Sequence, residues 1–379
     1  MSAMKPRMIA SFLKTQFSRI GHFARPPKPM ACSNCFSDRG LRFDAERFGR
    51  KRSAACPNCQ AVGCGQLTRD QLLELSYRFF VWGSMQRAAY GAAPLVQFND
   101  QRSTSIEVEP WLKPDVDLLE QLLGIGFFYY GPRLWMVGEV EPLKALQRKK
   151  QRSRILKRIL KEYPARSIGP TATFFRIRVN PERPNDPSQY DSPPVAFTGN
   201  GRLDSPGKPI LYGSPDLEIC VHECRVSAED EVFAATLAPL RDLRLLDLSV
   251  LLPEEEAVTE FESLDMAVHM LFLAGKHAYD ITRTIAESAQ SAGFDGVIYP
   301  SYFSLLRSGA MPFETTFGIS HRRIKRLQER EEVKSIPNIA LFGWPIAEGK
   351  VSVGCINRVI ISRVAYGFHF GPTFSDLGS

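Results

Sequence analysis

Four cysteines near the N-terminus have the spacing of a metal site. They form the pairs "CSNC" (Cys32, Cys35) and "CPNC" (Cys56, Cys59), with twenty residues between the pairs. Each CxxC turn supplies two thiolates, and two such turns at this distance predict a tetrahedral structural zinc site. Cys64 lies close by as a spare or exchanged ligand. A site closed by four thiolates leaves no open position for a substrate.

A second stretch that could do chemistry is "GKPILYGSPDLEICVHE", Gly207 to Glu223. It contains a turn, a short apolar run that ends at Tyr212, and a carboxylate eleven residues later. Taken singly, a tyrosine at a strand end is usually a core residue and a helical glutamate is usually exposed. Whether the two residues form a site therefore depends on what else meets them in space.

The elements that position these residues change in character along the chain. Residues 68–163 predict mostly helices, with Thr68 as an N-cap, and "EYPARSIGPT" is interpreted as a linker. After residue 170, short strands alternate with helices, and one helix is expected to start with Ser214 as its cap and Pro215 at its first position. A long Pro/Gly/Asn/Asp loop precedes it. The pattern indicates an α+β domain.

The net charge of +7 is concentrated in two segments. Residues 1–52 hold twelve Lys/Arg against three Asp/Glu, and residues 144–161 hold nine Lys/Arg and no acid. The second segment carries one Leu/Ile stripe, which predicts a basic helix packed on one face. We do not expect nucleic acid as a partner, because such a helix is more often simply solvated on its charged side.

The first 29 residues contain no acidic side chain. This composition is compatible with an organelle transit peptide, but we favour a loose basic extension before a folded protein that opens at Met30. No run of the chain approaches the roughly 18 to 20 apolar residues that a membrane helix requires, so we expect a cytoplasmic protein without a membrane partner.

Four segments in this order resemble the RES domain family: "FFRIRV", "GNGRLDSPGKPILYGSPDLEICVHE", "DGVIYPS" and "NIALF". The resemblance covers about residues 170–365, and "CSNCF…CPNC" followed by helices resembles the extension of larger RES proteins. It implies a mixed β core like that of ADP-ribosyltransferases, with flanking helices, and an activity that consumes NAD. Small members of the family often serve as toxins that an antitoxin neutralises.

The family's motif positions fall on five residues of this chain: Arg176, Arg202, Tyr212, Glu223 and Ser301. The first position is assigned to Arg176 rather than Arg178, which would share its strand face, because Arg176 follows the aromatic pair. By this resemblance Glu223, Arg176 and Ser301 are catalytic. Arg176, Arg202, Tyr212 and Ser301 bind NAD.

These residue types suit the implied chemistry. Arginine forks bind pyrophosphate oxygens well, and a carboxylate stabilises the positive charge that develops on the ribose when nicotinamide leaves. The tyrosine ring offers a face on which cationic nicotinamide can stack. The sequence leaves open whether the acceptor is water, inorganic phosphate or a macromolecule.

Two departures from the family pattern concern specificity. Leu203 follows Arg202 where typical members have an aromatic residue, and an insert at about 302–336 separates Ser301 from "NIALF". The insert is expected to cap the pocket or to bind a partner. An RNase-like activity of the helical region is not expected, because residues 68–163 contain no histidine.

The sequence thus predicts four regions: a basic extension (1–29), a four-cysteine zinc-ribbon-like module (30–66), a mostly helical region (67–165) and a RES domain (170–370). We expect an NAD glycohydrolase or phosphorylase of the toxin type, with structural zinc and with an antitoxin or immunity-type protein as a candidate partner. The alternatives are an ADP-ribosyltransferase that modifies a macromolecule and a non-enzymatic zinc and basic-helix binding protein.

Overall fold

The computed structural model describes most of the chain: residues 27–88, 91–129, 140–255, 257–259, 261–309, 315–316, 319–365, 367–368 and 370–373. The chain forms two compact units. The first comprises Met1–Arg87, Ala92–Leu134 and Tyr366–Ser379, and the second comprises Ala88–Gly91 and Trp135–Ala365. The basic extension expected at 1–29 lies almost wholly outside the described residues. No described helix combines the length and the apolar character that a membrane span needs.

Among its described residues, the first unit combines short strands with three α-helices. In chain order these are β1 (Pro29–Cys32), α1 (Arg39–Phe48), β2 (Arg50–Lys51), β3 (Gly65–Thr68), α2 (Arg69–Ser76), β4 (Met85–Ala88), β5 (Gly91–Pro94), β6 (Val96–Asn99), α3 (Lys113–Leu123) and β7 (Gly126–Tyr129). Strands β1, β3 and β2 form an antiparallel sheet in that order.

The expected helical character of the first unit holds only in part. Thr68 caps α2 as predicted, since its hydroxyl accepts a hydrogen bond from the Gln71 amide. After Ser76 the helical turns continue as a π-helix over Tyr77–Val81 and a 3-10 helix over Trp82–Ser84. Farther along the chain, β6 pairs with β7 in antiparallel register. The β7 strand contains Phe127 and Phe128, residues that favour the pleated surface of a strand. The prediction of mostly helix for residues 68–163 was therefore wrong for strands β4 to β7.

The second unit holds seven helices and ten strands among its described residues. They are α4 (Glu141–Gln147), α5 (Lys149–Glu162), β8 (Ala165–Ile168), β9 (Phe174–Val179), β10 (Ile210–Gly213), α6 (Leu217–Cys224), β11 (Val232–Pro239), β12 (Leu243–Asp247), α7 (Leu264–Leu273), α8 (Tyr279–Ser291), β13 (Gly296–Pro300), α9 (Ser304–Ser308), β14 (Thr315–Thr316), β15 (Ile319–Ser320), α10 (Gln328–Glu332), β16 (Pro337–Phe342) and β17 (Val351–Val359). The mixed helix and sheet composition predicted for this region is confirmed.

Two sheets and a set of helices make three layers in the second unit. The first sheet has the order β10-β16-β13-β12-β8, in which only β12 and β13 are parallel, and the second has the order β17-β11-β9. One face of the larger sheet packs on helices α4, α5, α7 and α8. Its other face packs on the smaller sheet, with Leu211, Ile298 and Leu341 meeting Phe174 and Leu237.

The predicted basic helix corresponds to α5 and belongs to the second unit. Its buried residues Ile155 and Ile159 face the core, as the apolar stripe predicted. Arg152 donates to Asp280 at the start of α8. Residues 144–161 are therefore part of the unit that contains the RES motifs and not of the N-terminal unit.

Two local predictions were wrong. The segment interpreted as a linker forms β8, which pairs with β12 and completes the edge of the larger sheet. Helix α6 is capped by Asp216, whose carboxylate accepts a hydrogen bond from the Ile219 amide. Ser214, the predicted cap, instead donates its hydroxyl to the Pro337 carbonyl. Ser214 thus ties the start of this helix to β16.

Close packing of β13 against β16 requires a glycine at position 296. A Cβ at Gly296 would lie 2.2 Å from the carbonyl oxygen of Ala340 on the paired strand. We expect Gly296→Ala to lower the free energy of unfolding by about 1 to 3 kcal/mol, because backbone on both sides must move to relieve the overlap. Thermal unfolding followed by circular dichroism measures the effect.

The matched control is Gly354→Ala in β17. A Cβ there would meet only the Thr236 carbonyl oxygen, at 3.6 Å, which is ordinary van der Waals contact. This variant should unfold within a degree or two of the wild type. Equal melting of the two variants would show that the tight β13–β16 contact is not a constraint on the fold.

Candidate active site and metal centre

The carboxylate of Glu223 lies at the C-terminal end of α6 and is held by two neutral donors. The Ser301 hydroxyl donates to Oε1 of Glu223 at 2.7 Å, and the Asn338 amide nitrogen donates to the same oxygen at 2.7 Å. Ser301 and Asn338 are both buried, whereas Glu223 is exposed. The structure thus brings together two of the predicted residues, Glu223 and Ser301, and adds Asn338.

Strand pairing explains how these donors meet. Tyr299 of β13 lies directly opposite Asn338 of β16 in the antiparallel register. Ser301 follows β13 immediately, and its amide donates to the Ile336 carbonyl just before β16 begins. The hydroxyl of Ser301 also accepts a hydrogen bond from the Phe303 amide, which orients it. The strand pairing therefore fixes the backbone that carries both side-chain donors.

Arg202 lies on the long loop before β10 and reaches the end of α7. Its two terminal nitrogens donate to the carbonyls of Leu271 and Ala274, at 3.1 and 2.9 Å. Its guanidinium carbon sits 4.9 Å from the centre of the Tyr279 ring. The cation is thus bound to the negative end of a helix dipole and to an aromatic face.

Tyr212 organises the same loop through its hydroxyl. The hydroxyl donates to Asp204 at 2.7 Å and accepts from the amides of Leu203 and Asp204. Arg283 holds the loop from the other side by donating to the Gly199 and Gly201 carbonyls. Leu203, the residue that departs from the family pattern, is buried in the core beneath the loop.

Arg176 is buried in the wall of the site and contacts backbone. Its terminal nitrogens donate to the Tyr212 carbonyl at 2.7 Å and to the Asp191 carbonyl at 3.0 Å. Burial, together with the charge of Arg178, lowers the pKa of Arg176 to about 9, so it remains charged at neutral pH. Among the described residues, its buried Nε has no hydrogen-bond partner. Arg178 also donates to the Asp191 carbonyl, as a residue on the same strand face would.

The pKa values of two neighbouring side chains, Tyr299 and Cys224, are each shifted by more than one of these charges. Burial raises the pKa of Tyr299, the charge of Glu223 raises it further, and Arg202 lowers it. Desolvation raises the pKa of Cys224, while Arg176 lowers it and Glu223 raises it. The charges of Glu223 and Arg202 thus both act on Tyr299, and those of Glu223 and Arg176 both act on Cys224.

One buried ion pair joins the insert at 302–336 to α7, and a second lies within the insert. Arg322 donates through two nitrogens to Asp265 of α7, and Lys334 donates to Glu331. A small cavity of about 20 Å³ between them is lined by Ser301 among others. Residues 310–314 and 317–318 of the insert lie outside the described residues.

Several functional neighbours were missed by the sequence analysis. Asn338 stands first in the quoted motif "NIALF", but no role was given to it. Asp204 and Arg283 fix the loop that carries Arg202, and the charges of both Glu223 and Arg202 act on the pKa of the buried Tyr299. The position of the buried Asn338 opposite Tyr299 can be recognised only once the strand register is known.

The four predicted metal ligands of the first unit converge. The sulphur atoms of Cys32, Cys35, Cys56 and Cys59 all lie within 4.8 Å of one another. Three of the separations are 3.8, 3.4 and 3.7 Å. A tetrahedron with zinc–sulphur bonds of about 2.3 Å has edges of about 3.8 Å, so the cluster fits a zinc ion.

Two nearby N–H groups donate hydrogen bonds to the cysteine cluster. The amide of Cys32 and the side-chain amide of Asn58 both donate to the Cys35 sulphur, at 3.4 and 3.3 Å. The fifth nearby thiol, Cys64, instead donates to the Ala61 carbonyl. Asp115 fixes the turn after Cys35, because its two oxygens accept from the amides of Ser37 and Asp38 at 2.7 Å each.

Comparison with known proteins gives one family match, which lies within the second unit. Residues 173–310 match the family model of the RES domain, so the chain contains a RES domain, as its motifs predicted. A solved structure titled "Crystal structure of the M.tuberculosis MbcT-MbcA toxin-antitoxin complex" is 12% identical in sequence to this chain. The match covers 54% of this chain and 91% of that chain, with a TM-score of 0.30. A search of curated proteins gives no match.

We expect the purified protein to contain about one zinc ion per chain, since four thiolates at this separation satisfy its coordination. Cys59→Ser should lose the metal and lower the melting temperature of the N-terminal unit, while Cys355→Ser, an exposed cysteine of β17, should change neither. Elemental analysis and thermal unfolding measure both effects. Wild-type protein with little metal and four reactive thiols would contradict the assignment.

Proposed function

We propose that this chain, whose residues 173–310 match the RES domain, is an NAD-consuming enzyme that cleaves the bond between nicotinamide and ribose. The observation that carries the proposal is the exposed Glu223 carboxylate, held by Ser301 and Asn338 in the same neighbourhood as Arg202 and Tyr299. An anionic side chain, a guanidinium and aromatic rings are the groups that a dinucleotide with a cationic nicotinamide requires.

Glu223 would stabilise the transition state of this cleavage. As the nicotinamide leaves, positive charge develops on the ribose, and a carboxylate beside it is worth more in a partly desolvated site than in water. Among the described residues no lysine or arginine forms an ion pair with Glu223. Its negative charge is therefore available to the ribose and is not already neutralised.

The arginines would bind the pyrophosphate from two positions. Both terminal nitrogens of Arg202 donate hydrogen bonds to carbonyls at the end of α7, but the side chain remains partly exposed. Arg176 would act from within the wall, where its buried charge makes the surroundings positive and its Nε has no partner. Tyr212 would contribute chiefly by holding the loop that carries Arg202 and by offering its ring to the nucleotide.

The proposal has three forms, which differ in the molecule that accepts the ADP-ribosyl group. Hydrolysis would give free ADP-ribose, phosphorolysis would give ADP-ribose-1″-phosphate, and transfer to a macromolecule would leave the ADP-ribosyl group attached to it. We favour hydrolysis or phosphorolysis of the toxin type, and ADP-ribosyl transfer is the alternative. In the toxin setting the cell would need a neutralising protein partner. Incubation of the purified protein with NAD, with and without phosphate, followed by mass spectrometry distinguishes the products.

We expect Glu223→Gln to lower kcat for NAD consumption on the order of 10²-fold or more, because the substitution keeps the shape of the side chain and removes the charge that the transition state needs. The matched control is Glu218→Gln on the same helix, whose exposed carboxylate pairs with Arg307 at 2.9 Å. It should retain wild-type turnover. Unchanged NAD consumption by Glu223→Gln would refute the site.

A further inference from the structure

Both hydrogen bonds to Glu223 end on one of its two carboxylate oxygens. Oε1 accepts from the Ser301 hydroxyl and from the Asn338 amide, each at 2.7 Å, and no donor to Oε2 is found among the described residues. Two donors on one oxygen fix both the position and the plane of a carboxylate more firmly than one donor does. The second oxygen is left for a ligand.

Asn338 is well suited to act as the fixed member of this pair. It is 3% exposed and lies within β16, opposite Tyr299. A carboxylate only accepts hydrogen bonds, which settles that the amide nitrogen of Asn338 faces Glu223.

We propose that Asn338 is a positioning residue of this RES domain: together with Ser301 it occupies Oε1 of Glu223, so that Oε2 is the oxygen presented to the ribose of the dinucleotide. The assignment rests on the proposed function. It adds that the carboxylate is oriented by neutral donors from two paired strands. Such donors hold the group without cancelling the charge that the developing cation requires.

The two residues that hold Glu223 flank the insert, whose ends are joined by hydrogen bonds. Ser301 is the residue before the insert and Asn338 follows it, and their backbones are joined next to the site by the hydrogen bond from the Ser301 amide to the Ile336 carbonyl. The Ser304 hydroxyl closes the same corner by donating to the Ser301 carbonyl and accepting from the Ile336 amide. The distance between the two donors is therefore set locally.

The test is the kinetics of Asn338→Leu, which keeps the approximate volume of the side chain and removes its donor. We expect kcat for NAD consumption to fall by about 10- to 100-fold with KM changed less than about twofold, because the carboxylate is misplaced while the groups that bind the dinucleotide remain. A carboxylate that loses a donor is protonated more easily, so the acid limb of the kcat profile should move to higher pH.

Two further variants keep the test decisive. Asn338→Ser retains a polar residue in the strand but is too short to reach Glu223, and should show the same loss of kcat if the leucine variant does not fold. Asn357→Leu makes the same substitution at an exposed position of β17 and should leave kcat and the pH profile unchanged.

The results separate this inference from the proposed function. A wild-type protein that does not consume NAD would refute the proposed function itself. An active wild type with folded Asn338 variants of undiminished kcat would overturn the role of Asn338 alone. A rise in KM without a fall in kcat would also overturn it, because that result would make Asn338 a substrate contact and not a positioning residue.

Discussion

The candidate site depends on the antiparallel pairing of β13 with β16. The register sets Tyr299 opposite Asn338, and the corner just beyond it places the Ser301 hydroxyl within reach of Glu223. The glycine at 296 allows the two strands to approach closely. A shift of one residue in this register would turn Asn338 to the opposite face of the sheet, where the core between the two sheets is apolar.

Burial of positive charge is the main electrostatic cost of this arrangement. Arg176 and Arg178 lie side by side in β9, and burial and mutual repulsion lower the pKa of Arg176. The carbonyls of Tyr212, Gln189 and Asp191 compensate by accepting their hydrogen bonds. An anionic ligand nearby would relieve the remaining cost, so the buried Arg176 beside the half-buried Arg178 is consistent with the pyrophosphate contact proposed above.

The sequence predicted the parts of the molecule whose physical signal is local. The cysteine spacing, the apolar stripe of α5 and the order of the RES motifs each depend on neighbours along the chain, and each corresponds to what is observed. The β8 strand and the cap of α6 were missed because their outcome depends on distant partners. Ser214 is an ordinary capping residue by type, but the Pro337 carbonyl takes its hydroxyl, and Asp216 takes over the cap.

The position of the insert shows how the family motifs tolerate a long addition. Loop closure becomes only slowly more costly with length, and here the ends of the insert are already joined at Ser301 and Ile336. Its buried pairs, Arg322 with Asp265 and Lys334 with Glu331, contribute orientation more than stability, because desolvation offsets much of their attraction. Residues added between the two ends can therefore alter what approaches the site without displacing Ser301 or Asn338. On the proposed function, the insert would influence the acceptor and any protein partner, and the strands that carry Ser301 and Asn338 would support the cleavage.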